Sequence, residues 1–406
     1  IDTRKINKDE MYFSLKGDNF DGNVFAMEAI EKGAKFSIVD DVEQKDINDN
    51  ILYVENSLKA LQDLSNHHRS LFDTKVIGIT GSNGKTTTKN LIYSILSQKY
   101  NVIKTKGNLN NHIGVPLSLL NIKDDIDVAI IEMGANHVGE IKRLCEIAMP
   151  DIGLITNYGY AHLEGFGSFE GVIKGKTEMY EYLTENYGHI ILNNDDKLQV
   201  ENCKGDLAVT YGNSKDSEFI FDYKKDNSSL KLKIDGYEFN SNLFGEYNFS
   251  NLASSITIGK FLDLSNKEIQ EGLNKFLNDS NRSEILIFDT NKIYLDAYNA
   301  NPSSMLAAIS NFKNINNRVL ILGDMFELGE YSDQEHQKIV DFVTNKDYSK
   351  VYLVGDNFSK CNTDGEYFFK FSNTNELAKS DTFKNLKNMN ILVKGSRGVK
   401  LETLFK

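Results

Sequence analysis

A glycine turn between an apolar segment and a helix-like segment constrains the fold of this chain more than any other feature. The stretch, from Val76 to Leu96, is VIGITGSNGKTTTKNLIYSIL. Glycines at a strand-to-helix turn let backbone N–H groups curl around a phosphate, and the helix N-terminus adds positive potential. Lys85 would reach the terminal phosphates, and the Thr86 hydroxyl would bind Mg²⁺. The general phosphate-loop pattern has glycine at position 79, where this chain has isoleucine, so the loop is shortened and begins at Gly81. A chance Gly-Lys-Thr turn is the alternative, and the flanking strand and helix disfavour it.

Strands alternate with helices beyond this turn. DVAIIEM precedes GEIKRLCEIA, and DIGLIT and HIILNN follow. A third series begins near Glu284 with ILIFDTNKIYLDAY, NRVLILGDM, KVYLVGD and NILVKGSRG. In GEIKRLCEIA, helical spacing predicts one buried face made of Ile141, Leu144, Cys145 and Ala148. This alternation indicates parallel sheets, whose ligands bind beyond the carboxyl ends of the strands.

The length of 406 residues exceeds what one hydrophobic core usually serves, so we expect more than one domain. Residues 1–73 alternate short apolar pieces with turn signals, of which KGDNFDGN is the clearest, and predict a small α/β domain. Residues 74–283 would form a central domain around the glycine turn. Residues 284–406 would form the third, so the predicted fold class is α/β with three domains.

Composition excludes several kinds of partner. A formal net charge of −12 gives a field that repels nucleic acid, so we expect neither DNA nor RNA to bind. No apolar run approaches the roughly 18 residues of a membrane-spanning helix, so no membrane is expected. The three cysteines, Cys145, Cys203 and Cys361, form neither a disulfide framework nor a zinc pattern, which favours the reducing cytoplasm. The chain begins with isoleucine instead of methionine, so we expect a few residues to precede it.

Polar residues stand where the predicted strands end. Glu132 closes DVAIIEM and offers Mg²⁺ an oxygen ligand, although a strand-end glutamate is more often a solvated charge. His162 lies in the loop after DIGLIT, where a lone histidine is usually structural and is an uncommon Mg²⁺ ligand. Asp296 ends a strand of the third series, and an ordinary strand-terminating loop is its equal alternative. On the sequence alone, Lys176 would be a surface lysine and Asn248 a helix cap.

Together these residues resemble the Mur ligases, ATP-dependent enzymes that form amide bonds in peptidoglycan precursor synthesis. TGSNGKTTT is similar to that family's shortened phosphate loop. Four stretches are similar to the branch that adds D-alanyl-D-alanine: GNLNNHIGVPLSLL, EMGANHVGEI, GDMFELGEYSDQEH and VKGSRG. The resemblance implies a UDP-N-acetylmuramoyl-binding N-terminal domain, a central P-loop ATPase domain with a parallel sheet, and a Rossmann-like C-terminal ligase domain.

The resemblance also implies ATP and two Mg²⁺ ions as cofactors, and roles for particular residues. The catalytic residues would be Lys85, Glu132, His162 and Lys176. ATP would contact Gly81, Ser82, Asn83, Gly84, Lys85, Thr86, Thr87, Asn248, Arg282 and Asp296. The metal ligands would be Thr86, Glu132, His162 and Lys176, the last after carbamylation by CO₂, which turns an ammonium into an anionic oxygen ligand. The substrates would contact Thr3, Arg4, Lys16, Gly17, Asn108, Asn110, Asn111, Ser396 and Arg397.

The implied reaction joins D-alanyl-D-alanine to UDP-N-acetylmuramoyl-tripeptide through an acyl phosphate, in a cytoplasmic enzyme that we expect to be a monomer. Other possibilities are a MurE-type ligase, a folylpolyglutamate synthase-like ligase, or a nucleotide-binding protein that uses the phosphate loop without ligase chemistry. GNLNNHIGVP and KGSR disfavour the first two. A purely structural protein is the least expected, because a scaffold has no use for polar residues gathered at strand ends.

Overall fold

A computed structural model describes residues 1–223, 229–277, 284–313 and 315–405. Its N-terminal part has a parallel sheet with strand order β1-β4-β5 and a small β2-β3 hairpin. The hairpin forms at the predicted KGDNFDGN turn. The elements are β1 (Met11–Phe13), β2 (Lys16–Gly17), β3 (Phe20–Asp21), α1 (Ala26–Glu31), β4 (Phe36–Val39), β5 (Ile51–Tyr53) and α2 (Ser57–Ser70).

The middle part is a parallel sheet with strand order β12-β11-β10-β9-β6-β8-β7. The strands are β6 (Lys75–Thr80), β7 (Val102–Lys104), β8 (Val128–Glu132), β9 (Ile152–Ile155), β10 (His189–Asn193), β11 (Ala208–Gly212) and β12 (Phe219–Ile220). The helices are α3 (Lys85–Leu96), α4 (Gly114–Leu119), α5 (Glu140–Ala148), α6 (Leu163–Phe166), α7 (Phe169–Glu185), α8 (Lys197–Asn202), α9 (Phe249–Phe261) and α10 (Asn266–Lys275).

An antiparallel sheet with strand order β13-β14-β15 precedes α9 in the chain. Its strands are β13 (Asp222–Tyr223), β14 (Ser229–Ile234) and β15 (Tyr237–Phe244). This sheet was not predicted from the sequence, and it lies inside the range predicted for the central domain.

The third part is a sheet with strand order β16-β17-β21-β18-β19-β20, parallel except for β16 at one edge. The strands are β16 (Glu284–Phe288), β17 (Asn291–Asp296), β18 (Arg318–Gly323), β19 (Lys350–Val354), β20 (Phe368–Phe371) and β21 (Asn390–Lys394). The helices are α11 (Pro302–Asn311), α12 (Ser332–Val343), α13 (Asp356–Lys360), α14 (Thr374–Lys379) and α15 (Asp381–Lys384). The predicted boundaries after residues 73 and 283 fall between sheets but remain predictions.

The middle sheet is covered on both faces, which is why its strands are apolar throughout. Val76 of β6 belongs to a core cluster with Leu144 of α5 and Met179 of α7. Its neighbour Ile77 points to the opposite face and belongs to a cluster with Leu91 of α3. The four residues predicted as the buried face of α5 are all buried, which confirms that prediction.

The cluster that contains Val76 continues into the third part of the chain through Met305 of α11 and Ile339 of α12. Asn83 and Tyr160, which follow β6 and β9, hydrogen-bond Asn301 and Ser303 at the start of α11, so the third part lies beside the carboxyl ends of the middle strands. Within the described ranges, no helix combines the length and the apolar character needed to cross a lipid bilayer.

Candidate active site

The turn between β6 and α3 has the geometry of a phosphate-binding loop. Gly81 and Gly84 have φ of 138° and 85°, a region that L-residues rarely adopt. A Cβ on Gly81 would lie 1.9 Å from Oγ1 of Thr156, and a Cβ on Gly84 would lie 2.3 Å from Oδ1 of Asn251. Lys85 Nζ donates a hydrogen bond to the Gly81 carbonyl oxygen at 2.5 Å. The ammonium therefore lies over the loop, where it could meet a phosphate.

The segment after β9 holds this loop in place. The Asn83 amide donates to Oδ1 of Asn157, and Nδ2 of Asn157 donates back to the Asn83 carbonyl, both at 3.0 Å. The Thr156 hydroxyl donates to the same carbonyl at 2.5 Å. Asn157 was not predicted as a site residue, although it directly follows a predicted strand end, where ligand-binding residues gather in parallel sheets.

Glu132 ends β8 and turns its carboxylate toward the loop. The side chain is 3% exposed, and Oε1 accepts hydrogen bonds from the Thr86 hydroxyl at 3.4 Å and from Asn110 Nδ2 at 3.0 Å. The Lys89 ammonium lies 3.0 Å from Oε2. Burial works to raise the pKa of Glu132, but the positive charges of Lys89 and Lys85 outweigh it, so the net pKa lies below its usual value. The carboxylate is therefore ionised at neutral pH.

Lys89 was not predicted from the sequence. It lies one helical turn after Lys85 in α3, and this i, i+4 spacing was the available signal that both lysines share one face.

Thr86 and Glu132 fit a hard cation such as Mg²⁺. Oε2 of Glu132 is buried and pairs with the Lys89 ammonium at 3.0 Å, but among the described residues no donor meets it in a well-directed hydrogen bond. Magnesium usually takes one or two carboxylates and completes its shell with water and substrate phosphates. Across the same part of the chain, no three His, Cys, Asp or Glu side chains come together as a metal site. A metal here would thus depend on the oxygen atoms of a nucleotide.

His162 and Lys176 differ in their contacts and in their exposure. His162 lies at the start of α6, and its Nδ1 is 2.5 Å from Oε2 of Glu327, which follows β18. That contact lowers the pKa of Glu327. Lys176 lies in α7, is 1% exposed, and has its Nζ 5.3 Å from the centre of the Phe166 ring. Burial, helped by the nearby Lys85 charge, lowers the pKa of Lys176 well below its usual value.

A cavity of about 950 Å³ joins the middle and third parts of the chain. Most residues predicted to bind ATP or metal line it: Ser82, Asn83, Gly84, Lys85, Thr86, Thr87, Glu132, His162, Asn248 and Asp296. Asn108, Asn110 and Asn111 line the same cavity. Lys176 does not, because it is buried in the layer behind the wall. Gly81, the first residue of the loop, does not line the cavity either. Arg282 falls outside the described residues.

The third sheet supplies the opposite wall. Asp296 ends β17, and its Oδ2 lies 2.6 Å from Nζ of Lys394, a buried residue at the end of β21 that the sequence analysis missed. Asn301 Nδ2 donates to Oδ1 of Asn83 in the phosphate loop at 2.8 Å, which bridges the two walls directly.

Ser396 and Arg397, predicted to bind substrate, lie just outside the cavity lining. The Ser396 hydroxyl accepts a hydrogen bond from the Phe326 amide at 3.1 Å. The Arg397 guanidinium lies 5.3 Å from the ring centre of Tyr298, which does line the cavity.

The predicted N-terminal residues make local contacts away from this cavity. Thr3 donates to Glu28 at 3.0 Å, and Arg4 pairs with Asp2 at 2.8 Å. Lys16 lies 3.4 Å from Oδ1 of Asp40, and Gly17 follows it in β2.

Fold and site together define a nucleotide-binding enzyme of the phosphate-loop class, with three α/β parts and a polar cavity between the second and the third. Family models agree with this class: Mur ligase middle domain matches residues 79–259, and Mur ligase, glutamate ligase domain matches residues 281–397. A UDP-N-acetylmuramoyl-tripeptide–D-alanyl-D-alanine ligase from Bacillus subtilis (strain 168) is 33% identical over 100% of this chain and 91% of its own length. The chain belongs to the Mur ligase family, as the sequence predicted.

Solved structures support the same assignment. MurF from Acinetobacter baumannii superposes with a TM-score of 0.91 at 29% identity, covering 99% of this chain and 91% of that one. MurF ligase from Thermotoga maritima, solved in complex with ADP, gives a TM-score of 0.88 at 26% identity over 99% and 95% of the two chains. The predicted three-domain α/β fold is thereby confirmed.

Proposed function

We propose that this chain joins D-alanyl-D-alanine to UDP-N-acetylmuramoyl-tripeptide and uses ATP to drive the bond. The observation that carries the proposal is the single cavity in which the phosphate loop, the Glu132 carboxylate and residues 108–111 face the third sheet. The relatives named as ligases of this reaction, and the relative solved with ADP, support it.

An amide does not form from a free carboxylate in water without activation. In the proposed reaction, a carboxylate oxygen of the tripeptide attacks the γ-phosphorus of ATP, ADP leaves, and an acyl phosphate remains. The amine of the dipeptide then attacks the acyl carbon, loses a proton and expels inorganic phosphate. Lys85 neutralises charge on the transferred group, and the enclosing walls exclude water that would hydrolyse the acyl phosphate.

Two magnesium ions would supply further charge neutralisation. Thr86 and Glu132 would hold the first. His162 would belong to the surroundings of the second, together with Lys176 once carbamylated. Carbamylation needs a neutral amine to attack CO₂, and the lowered pKa of the buried Lys176 supports this requirement. The product is an anion in place of an ammonium, which would suit a cation site.

The remaining roles are part of the same proposal. Asn248 would face the adenine, with Arg282 and Asp296 on the ribose side. Asn108, Asn110, Asn111, Ser396 and Arg397 would surround the peptide substrates. Thr3, Arg4, Lys16 and Gly17 would serve the uridine nucleotide on a domain of residues 1–73, beside domains of residues 74–283 and 284–406. We also propose a cytoplasmic monomer.

Phosphate release from ATP tests the proposal. The protein should release phosphate with UDP-N-acetylmuramoyl-tripeptide and D-alanyl-D-alanine together, and release should fall sharply when the dipeptide is omitted. Release that is indifferent to the dipeptide would favour a nucleotide-binding protein without ligase chemistry. A preference for one free amino acid over the dipeptide would favour a MurE-type or folylpolyglutamate synthase-like ligase.

A further inference from the structure

Lys89 is a buried cation that the proposed chemistry does not use. Its side chain is 2% exposed, and its Nζ lies 3.0 Å from Oε2 of Glu132. The same ammonium donates a hydrogen bond to the Gly107 carbonyl at 3.3 Å. Desolvating an ammonium is costly unless it is paired, and here both partners belong to the wall of the active-site cavity. A buried charge in this position acts directly on the predicted metal ligand.

The two oxygens of Glu132 face different groups. Oε1 meets the Thr86 hydroxyl and the Asn110 amide, whereas Oε2 meets Lys89. The backbone of Glu132 is also fixed, because its N–H donates to Oγ1 of Thr105 at 3.0 Å. The Lys89 ammonium therefore neutralises the carboxylate whose other oxygen, Oε1, lies beside the Thr86 hydroxyl.

We propose that Lys89 is a positioning residue: it is the resident counter-ion of Glu132, and its positive charge weakens the binding of magnesium by that carboxylate. The inference rests on the proposed function, because it assumes that a magnesium nucleotide binds between Thr86 and Glu132. A cation arriving at Glu132 competes with the ammonium. The Gly107 carbonyl remains as the second partner of Lys89 when that happens.

Magnesium titration of three variants tests this role. Lys89→Gln removes the charge and keeps a hydrogen-bond donor, whereas Lys89→Arg keeps the charge. Lys104→Gln is the matched control, since Lys104 lies in β7 and its Nζ donates to Oδ1 of Asn90, the residue after Lys89 in α3, at 2.7 Å. Magnesium is added to each protein with a non-hydrolysable ATP analogue, and the melting temperature reports binding.

The magnesium concentration at half-saturation should be about tenfold lower for Lys89→Gln than for the wild type, the scale on which one adjacent charge shifts a carboxylate equilibrium. Lys89→Arg and Lys104→Gln should match the wild type. Unchanged or weaker binding by Lys89→Gln would overturn the inference, and so would equal tightening by Lys89→Arg. A wild-type protein with no magnesium-dependent shift would overturn the proposed function as well, so the two failures are distinguishable.

A double variant covers the case in which Lys89→Gln does not fold. Lys89→Gln with Glu132→Gln removes both charges together, so no buried ion is left unpaired. The inference expects this double variant to fold and to melt cooperatively where Lys89→Gln alone does not. If the double variant also fails to fold, Lys89 has another purpose and the inference fails.

Discussion

Substitution of Gly84 by alanine tests the phosphate-loop geometry, because Gly139 has a similar φ and serves as the matched control, but its surroundings are open. Gly84 precedes α3 with φ of 85°, and Gly139 precedes α5 with φ of 95°. A Cβ on Gly139 would have no atom within 4 Å, whereas a Cβ on Gly84 would lie 2.3 Å from Oδ1 of Asn251. Alanine at either position incurs the left-handed strain of about 1–2 kcal/mol. Alanine at position 84 must also displace Asn251.

Displacing Asn251 disrupts two hydrogen bonds. Its Oδ1 accepts from the Thr88 hydroxyl at 3.1 Å, and its Nδ2 donates to Oδ1 of Asn248 at 2.9 Å. At about 1 kcal/mol each, their loss adds roughly 2 kcal/mol to the cost of Gly84→Ala. For a domain of this size, 1 kcal/mol corresponds to about 2–4 °C in melting temperature. Gly84→Ala should therefore melt about 4–8 °C below Gly139→Ala when both are followed by differential scanning calorimetry. Equal melting temperatures would refute the argument that Asn251 closes the space beside the loop.

Three further predictions concern charged groups. Glu132→Gln leaves the positive charge of the buried Lys89 without its counter-ion, so it should lower the unfolding free energy by about 3–5 kcal/mol. It should also abolish magnesium-dependent phosphate release. A stability near that of the wild type in urea unfolding would contradict this prediction. Burial lowers the pKa of His336 below its ordinary value of 6.5, and its neutral Nε2 accepts from the Met325 amide at 2.9 Å. The contribution of His336 to the unfolding free energy should be complete above pH 6.5 and lost as the pH falls below that value. In urea unfolding, the unfolding free energy of the wild type should therefore fall by up to about 1.4 kcal/mol per pH unit below pH 6.5, and that of His336→Gln should fall less steeply. Equal slopes would show that His336 does not cause the pH dependence. If Lys176 is carbamylated, activity should fall in CO₂-depleted buffer and return with bicarbonate, while Lys176→Ala should be inactive in both; activity indifferent to bicarbonate would argue against the modification.

The middle of the fold could be predicted closely because its strands are buried on both faces. VIGIT, the apolar segment before the glycine turn, lies wholly within β6, and DVAIIEM contains β8. Strands of this type are continuous apolar segments, and the residue that ends each one is visible as the first polar position. For this reason Glu132 could be predicted at the sheet edge from the sequence alone.

The antiparallel pieces were harder to predict. One segment of the predicted third series, ILIFDTNKIYLDAY, contains two strands, β16 and β17. They pair as a hairpin, and Asp289 in its turn has φ of 52°. The turn contains neither glycine nor proline, which are the strongest sequence signals of a turn. The β13–β15 sheet, which was not predicted, did carry a local signal, because KLKIDGYEFN alternates polar and apolar residues on both sides of an Asp-Gly turn. Its apolar residues Leu232 and Phe239 are buried in the cluster that contains Ile77.

The partners of the site residues depend on the fold. Nothing in the sequence says that Lys89 meets Glu132, 43 residues away, or that Lys394 meets Asp296, 98 residues away. Parallel topology makes these contacts, because strands distant in sequence end at one edge. For the same reason, the burial of Lys176 could not be predicted from its local sequence, because it follows from the packing of α7 against the rest of the fold.

Transfer of an oxygen atom is the most direct measurement of the central claim that this cavity activates a carboxylate with ATP. UDP-N-acetylmuramoyl-tripeptide labelled with oxygen-18 in its terminal carboxylate is incubated with ATP, magnesium, D-alanyl-D-alanine and the protein, and the released phosphate is analysed by mass spectrometry. An acyl phosphate requires each released phosphate to carry one carboxylate oxygen, so the label should appear in the phosphate. Unlabelled phosphate would mean that water attacks ATP instead, and would contradict the account.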